Sequence, residues 1–233
     1  LFFCGGTTVP PELVREASAT FPNGLFFRVY GSTEMTTTTV GIASRAEADM
    51  GAQTDGKVEP PTRVKLVDPE SGEPVADGEE GEICVSGPER FFGYLHPADN
   101  EGCFDNEGFY HMGDLGRRVF GDYLVITGRK KDIIIRSGEN ISPKEVEDLL
   151  FNHPAVAEVA IVAMPSAATG EKGCAFIIPR EGMSIDLPEI RRFLDEEGLA
   201  RQKFPEHVVL VDDLPRVPSG KVKKDVLRTE ARR

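Results

Sequence analysis

The residues with the most chemical reach in this sequence fall into a few short clusters. Tyr30-Gly31-Ser32-Thr33-Glu34 puts an aromatic ring, two hydroxyls and a carboxylate on one tight segment. An aromatic face can stack on a nucleobase, a contact of about 1–3 kcal/mol, and a carboxylate oxygen suits a hard cation. Gly108-Phe109-Tyr110-His111-Met112-Gly113-Asp114 ends on an Asp, which offers two acceptor oxygens and no donor, a good partner for a pair of hydroxyls. Pro215-Arg216-Val217-Pro218-Ser219-Gly220-Lys221 ends on a Lys, whose ammonium can offset the negative charge that gathers when a phosphoryl group is displaced. The longest cluster runs Gly128-Arg129-Lys130-Lys131-Asp132-Ile133-Ile134-Ile135-Arg136-Ser137-Gly138-Glu139-Asn140-Ile141-Ser142-Pro143-Lys144-Glu145-Val146-Glu147. Each cluster also has a structural reading: a strand-ending turn with a solvated Glu34, a plain turn at Gly5-Gly6, a strand-to-helix connection capped at Ser142, and a solvated basic helix at the C-terminus.

Several familiar signatures are missing. Gly220-Lys221 resembles the end of a Walker A loop, but Val222 stands where Ser or Thr is needed and Pro215 where the first Gly belongs. The sequence has no G-x-G-x-x-G, H-E-x-x-H or G-x-S-x-G, so a Rossmann dehydrogenase, zinc protease or serine hydrolase is unsupported. Cys4, Cys84, Cys103 and Cys174 lie far apart with no C-x-x-C pairing, against a disulfide framework or zinc site. His96, His111, His153 and His207 have neither metal nor nucleophile spacing and read as structural.

The elements that would position these residues change character along the chain. Residues 1–55 alternate strand and helix: an apolar strand into Gly5-Gly6, a helix Pro11–Thr20 with Pro10-Pro11 at its first turn, and a strand over residues 25–30. Residues 56–128 are short β-runs (Arg63–Val67, residues 82–85, 108–111 and 123–127) separated by Gly, Pro and Asp, which predicts a small barrel or sandwich with a turn-rich loop at residues 68–74. After Gly128 the pattern predicts a β-run over residues 132–136, a helix from Ser142-Pro143-Lys144-Glu145 with capping-box spacing to about Asn152, β-runs at residues 156–164 and 174–178, a helix near residues 188–197, a β-run at residues 208–211 and a final helix near residues 223–231. The expected boundary lies at residues 129–131, giving domains over residues 1–128 and 129–233.

Taken together and in order, the clusters resemble the core motifs of the adenylate-forming superfamily, which includes acyl-CoA synthetases, luciferases and peptide-synthetase adenylation domains. Tyr30-Gly31-Ser32-Thr33-Glu34 is similar to the family's Y-G-x-T-E, and the second cluster to W/Y-x-x-T-G-D with Met112 in place of Thr. The third matches G-R-x-K/D-D-x-I-x-x-x-G-x-N-x-x-P-x-E-I/V-E, and the fourth P-x-T-x-S-G-K with Val217 in place of Thr. The resemblance spans the whole chain. It implies an α+β fold: the end of a large adenylate-forming domain with a small β-barrel-like subdomain, followed by a small mobile C-terminal domain.

For the site, the resemblance implies ATP or AMP, Mg²⁺ and CoA. Tyr30 would stack on adenine, Gly5 and Gly6 would let backbone pass close to the adenine, Gly31 would lie among the nucleotide-binding residues, Thr33 would bind phosphate, Glu34 would hold Mg²⁺, Asp114 would accept both ribose hydroxyls, and Arg129 would reach ribose and phosphate. Lys131 would be the hinge, Ser137, Gly138, Glu139 and Asn140 would line the pantetheine path, and Lys221 would serve adenylation. The implied protein is the C-terminal part of an ATP-dependent acid–CoA ligase, inactive alone because the phosphate loop and most of the acyl pocket lie upstream in the family. A carrier-protein-loading module and a non-catalytic nucleotide-binding module are the rival readings.

Bulk composition agrees with an enzyme and excludes some partners. The 233 residues, 39% hydrophobic, can bury a real core. No apolar run approaches the roughly 20 residues of a membrane span, and there is no signal-peptide pattern, so a cytoplasmic location without membrane insertion is expected. The net charge of −12 disfavours nucleic acid and anionic membranes. An anionic ligand must therefore meet local positive charge, and the tail from residue 215 supplies it with Arg216, Lys221, Lys223, Lys224, Arg228, Arg232 and Arg233 against Asp225 and Glu230. Oligomeric state does not follow from the sequence, and the substrate is narrowed only to a medium-chain, alicyclic or aromatic acid.

Overall fold

The computed structural model describes residues 1–6, 9–218 and 220–232. Ser219 of the Lys221 cluster and Arg233 of the basic tail lie outside the described residues. The chain divides into two units, Leu1–Lys130 and Lys131–Arg233.

In the first unit, β1 (Phe2–Cys4) pairs in parallel with β2 (Phe26–Arg28), and α1 (Pro11–Thr20) makes the crossover. Pro11 sits in the first turn of α1, where its missing N–H costs no bond. Val14 on the inner face of α1 packs with Phe26 and with Ala52 of a second helix, α2 (Ala48–Gln53), which the sequence pattern does not announce. Then β3 (Arg63–Val67), β4 (Glu80–Ser86), β5 (Tyr110–Val119) and β6 (Tyr123–Arg129) form an antiparallel meander in that order. The loop before β4 is turned by Asp68, whose Oδ1 accepts from the backbone of Glu70 and Ser71.

The expected barrel or sandwich is not formed: the four strands make an open sheet. The outer edge of β6 is taken by residues 55–58 instead. Leu124 N donates to Gly56 O, Asp55 N to Leu124 O and Val58 N to Asp122 O, so this edge is occupied without returning to β3. One face of the sheet is covered by Met35, which packs with Leu66, Ile83, Val85, Tyr110 and Met112.

In the second unit, β7 (Ile134–Arg136) and β8 (Glu139–Ile141) form a tight hairpin, followed by α3 (Pro143–Leu150), β9 (Val156–Ser166), β10 (Gly170–Pro179), α4 (Leu187–Glu196), β11 (His207–Leu210) and α5 (Lys224–Ala231). β10 pairs with β9 on one edge. On its other edge it meets β11 in parallel and, at Gly170, β7. Its side chains alternate between two cores, as a strand period of two requires. Ala175 and Ile177 join Val146, Leu150, Ile190 and Leu194 of α3 and α4, while Cys174 and Phe176 join Leu214 and Leu227 of the α5 side.

One local expectation is corrected. α3 runs from Pro143, at N1 as expected, to Leu150 with Phe151 as its C-cap, but Ser142 occupies the N-cap position without a side-chain cap bond. The cap that does form is at α4, where Asp186 Oδ1 accepts from Glu189 N at 2.9 Å.

Glu147 ties the second unit together. One oxygen accepts from Ile161 N of β9 at 2.7 Å and from Lys224 Nζ of α5 at 2.6 Å, and the side chain is 14% exposed. Removing it strands a largely buried ammonium and a backbone donor. Glu147→Ala is expected to cost about 3 kcal/mol, read by urea unfolding of the chain, with amide exchange in β9 and α5 rising before that in β4. Glu147→Gln, which keeps an acceptor, should lose less.

Candidate functional site

The chain leaves β2 and turns sharply at Gly31. A Cβ there would lie 2.4 Å from Thr36 O, so no other residue fits without moving backbone. Ser32 forms the turn, its Oγ accepting from Glu34 N at 3.1 Å and Met35 N at 3.2 Å. Tyr30 is fixed through its backbone: its N–H donates to Thr39 Oγ1 at 2.8 Å and its carbonyl accepts from Thr38 N and Thr39 N.

The turn brings Tyr30 onto the sheet. Its hydroxyl donates to Asp114 Oδ2 at 2.7 Å, and Arg129 Nε donates to Asp114 Oδ1 at 2.7 Å. Asp114 and Arg129 are direct partners in the register of β5 and β6, so sheet pairing sets this contact. Burial pushes the Tyr30 hydroxyl well above the ordinary tyrosine range, and the charge and hydrogen bond of Asp114 push it further. Three of the expected nucleotide-binding residues thus meet around one carboxylate.

Glu34 lies beside them. Its Oε1 accepts from Tyr94 OH at 2.8 Å, and Tyr94 OH is 3.1 Å from Tyr110 OH. Burial alone would raise the Glu34 carboxyl, but hydrogen bonds from Tyr94, its own backbone and Ser32, with the charge of Arg129, hold it below the usual carboxylate range. Tyr94 is the site residue that sequence reasoning missed. Asn100 clamps its backbone, with Oδ1 accepting from Tyr94 N at 2.6 Å and Nδ2 donating to Tyr94 O at 3.0 Å. The available signal was the aromatic run Phe91-Phe92-Gly93-Tyr94 after Gly87-Pro88, a loop too rich in large rings to be only a connection.

Among the other expected residues, Gly5 ends β1 against the strand that leads into Tyr30: a Cβ would meet Val29 O at 3.0 Å. Gly6 follows at φ +80°, the left-handed region. Thr33 is exposed at the tip of the turn. In the second unit, Ser137 and Gly138 alone form the turn of the β7–β8 hairpin, both at positive φ (51° and 84°), as a two-residue hairpin of this hand demands. Glu139 and Asn140 are strand residues, which corrects the reading of residues 137–140 as one loop. Lys221 is exposed beside a separate turn, closed by Val217 N to Lys221 O at 2.9 Å and by Gly220 at φ +88°. Arg216 braces that turn, donating to Gly220 O at 3.0 Å and pairing with Glu158.

No group of three or more His, Cys, Asp or Glu side chains that could cage a metal occurs among the described residues. A single ionised carboxylate at Glu34 nonetheless fits Mg²⁺, which keeps waters and phosphate oxygens as most of its ligands and takes only one or two from protein.

The family comparison divides much as the fold does. Residues 1–95 match the model of the AMP-binding enzymes, and residues 145–221 match that of the AMP-binding enzyme C-terminal domain. The chain belongs to this adenylate-forming family. Along its full length it is 39% identical to the medium-chain fatty-acid–CoA ligase of Escherichia coli strain K12, covering 41% of that protein. It is 38% identical, over 94% of its length, to a salicyl-AMP ligase/salicyl-S-ArCP synthetase of Mycobacterium tuberculosis, covering 38% of it. Among solved structures, ATP-bound MatB from Rhodopseudomonas palustris superposes with a TM-score of 0.90 at 35% identity, over 99% of this chain and 45% of that one. The chain therefore spans about two fifths of the length of the relatives it matches.

The four tyrosines of the sequence, Tyr30, Tyr94, Tyr110 and Tyr123, are all pushed above the ordinary range, burial being the first cause at each. A group with a raised folded pKa favours the folded state below its unfolded pKa, near 10, and loses that advantage as pH rises through the folded value. An absorbance titration at 295 nm should therefore show no tyrosinate step near pH 10 in the native protein. The step should appear above pH 10 together with unfolding, and near 10 in denaturant.

Proposed function

We propose that this chain works as the C-terminal part of an ATP-dependent, AMP-forming acid–thiol ligase, with CoA as the acyl acceptor. The observation that carries this reading is the carboxylate of Asp114, held between Tyr30 and Arg129, with the ionised Glu34 a few residues along the same turn. A carboxylate has about four lone-pair positions, so Asp114 can accept ribose hydroxyls while keeping both of its present bonds. Tyr30 then carries an aromatic face beside the sugar for the adenine, and Arg129 places positive charge next to the α-phosphate. In a chain with net charge −12, Arg129 and the basic tail carrying Lys221 offer the positive charge that a polyphosphate must meet.

The reaction has two halves. In the first, the substrate carboxylate attacks the α-phosphorus of ATP and pyrophosphate leaves, giving an acyl-adenylate. Lys221 places an ammonium against the transferring group, and Thr33 offers a hydroxyl to phosphate oxygen; both are exposed and able to reach a ligand. Mg²⁺, when held at Glu34, would supply further neutralisation of phosphate charge. In the second half, the thiol attacks the acyl carbon and AMP leaves. The Ser137-Gly138 turn, with Glu139 and Asn140 beside it, borders the pantetheine path, and rotation about Lys131 exchanges this turn for Lys221 at one active centre.

A medium-chain, alicyclic or aromatic acid is the proposed substrate class, supported by what the named relatives activate, and the cytoplasm is the proposed location, supported by four free cysteines. No helix among the described residues is long and apolar enough to cross a membrane. Transfer to a carrier protein is the second reading, favoured by the 38% identity to the salicyl-S-ArCP synthetase.

The test is ATP–pyrophosphate exchange by the natural full-length protein across a panel of carboxylic acids, followed by thioester formation with CoA or with a phosphopantetheinyl carrier. One acid class should support exchange, and Lys221→Ala should reduce it by about 10²–10³ while ATP affinity changes little. Thioester with the carrier alone would move the assignment to a loading module. Absence of exchange with every acid in the panel would leave a nucleotide-binding module in its place.

A further inference from the structure

The residues on either side of Lys131 are each anchored in their own unit. In the first unit, Arg129 is held by Asp114, and Lys130 Nζ donates to Glu82 Oε2 at 2.9 Å and to Pro69 O at 3.0 Å. Glu82 belongs to β4, where its side chain is only 6% exposed, and its second neighbour is His111, with Nδ1 at 3.4 Å from Oε2. His111 Nδ1 also lies 3.4 Å from Cys84 Sγ, a fully buried thiol that burial pushes up to about 12 and so keeps from acting as a nucleophile. In the second unit, Asp132 pairs with Arg228 of α5, and Arg228 also donates to Lys131 O at 3.4 Å. Between these anchors the exposed Lys131 side chain makes no hydrogen bond or ion pair among the described residues.

A buried carboxylate on the central part of a sheet is costly unless it is paired. Glu82 takes no part in the nucleotide constellation; its partners are His111 and the last residue of the first unit, Lys130. We infer that Glu82 is a positioning residue: with Lys130 it forms a post that ends the first unit rigidly, as Asp132 and Arg228 begin the second, so that reorientation is confined to the torsions of Lys131. A pivot of one residue returns the mobile unit to two defined positions, whereas a slack linker spreads it over many. This inference rests on the two-step reading given above.

Two measurements test it, the first independent of activity. In limited acetylation with an N-hydroxysuccinimide ester, read by peptide mass mapping, Lys130 should react about tenfold more slowly than Lys131. Glu82→Gln should remove that protection without changing Lys131. In the full-length protein, the rate ratio of thioester formation from supplied acyl-adenylate to adenylation should shift by about tenfold in Glu82→Gln, with Lys130→Arg retaining the wild-type ratio. Lys130→Met breaks the same post from its half-exposed end and should shift the ratio likewise, even if Glu82→Gln fails to fold. Equal reactivity of Lys130 and Lys131 overturns the post. A uniform fall of both half-reactions reduces Glu82 to a structural residue and overturns its positioning role. Absence of both half-reactions in the wild type overturns the ligase reading and the pivot with it, while the acetylation result reports separately on the pairing.

Discussion

The geometry of the first unit depends on one carboxylate. Asp114 receives a hydroxyl from residue 30 and a guanidinium from residue 129, so the end of the parallel αβ segment and the last two strands of the meander converge on it. These contacts are charge-assisted, and such bonds are worth roughly twice a neutral one. They also order the rest of the site. With Tyr30 fixed, the Gly31-Ser32 turn follows, and with the turn fixed, Glu34 faces Tyr94. The sheet register brings the Arg129 backbone opposite Asp114 across β5 and β6, so only the side chain remains to be ordered.

Much of this could be read from residue order because the clusters are local. Tyr30, Glu34, Asp114 and Lys221 declare themselves by type and neighbours, and the helices α1, α4 and α5 and the strand β3 follow from amphipathic period and flanking prolines. What stayed hidden depends on distant partners. Tyr94 acts sixty positions from Glu34, and no local pattern links them. The sheet stays open because residues 55–58 take the edge of β6, a choice between competing partners that a strand-by-strand reading cannot weigh. The β7–β8 hairpin was obscured because Ser137 adopts positive φ, which a non-glycine residue seldom does outside such turns.

Close agreement over residues 128–147 does not mean that every one of those side chains meets a ligand. Glu147 joins α3, β9 and α5, Asp132 pairs with Arg228, and Ile134, Ile141 and Val146 are buried in one core. These explain the spacing as a folding requirement. Arg129 is held by Asp114, and the residues left over, Lys131, Ser137, Gly138, Glu139 and Asn140, are exposed. Structural and chemical demands therefore share one stretch of chain, and the structural readings of the clusters hold together with the chemical ones.

The two carboxylates of the first unit cannot exchange roles. Asp114 already carries a hydrogen bond on each oxygen, one from a guanidinium, so its charge is locally balanced and its remaining lone pairs suit neutral hydroxyls. A divalent cation placed there would face Arg129 directly. Glu34 has one oxygen engaged by a neutral phenol and stays ionised because hydrogen bonds outweigh its burial, so its other oxygen keeps a charge that a cation can use. Tyr94, itself driven upward by burial and by Tyr110, remains a donor over the working pH range and keeps Glu34 turned. Under the proposed chemistry, Asp114 would take the sugar and Glu34 the metal, the difference lying in their hydrogen-bond partners: Asp114 holds the guanidinium of Arg129 and Glu34 a neutral phenol.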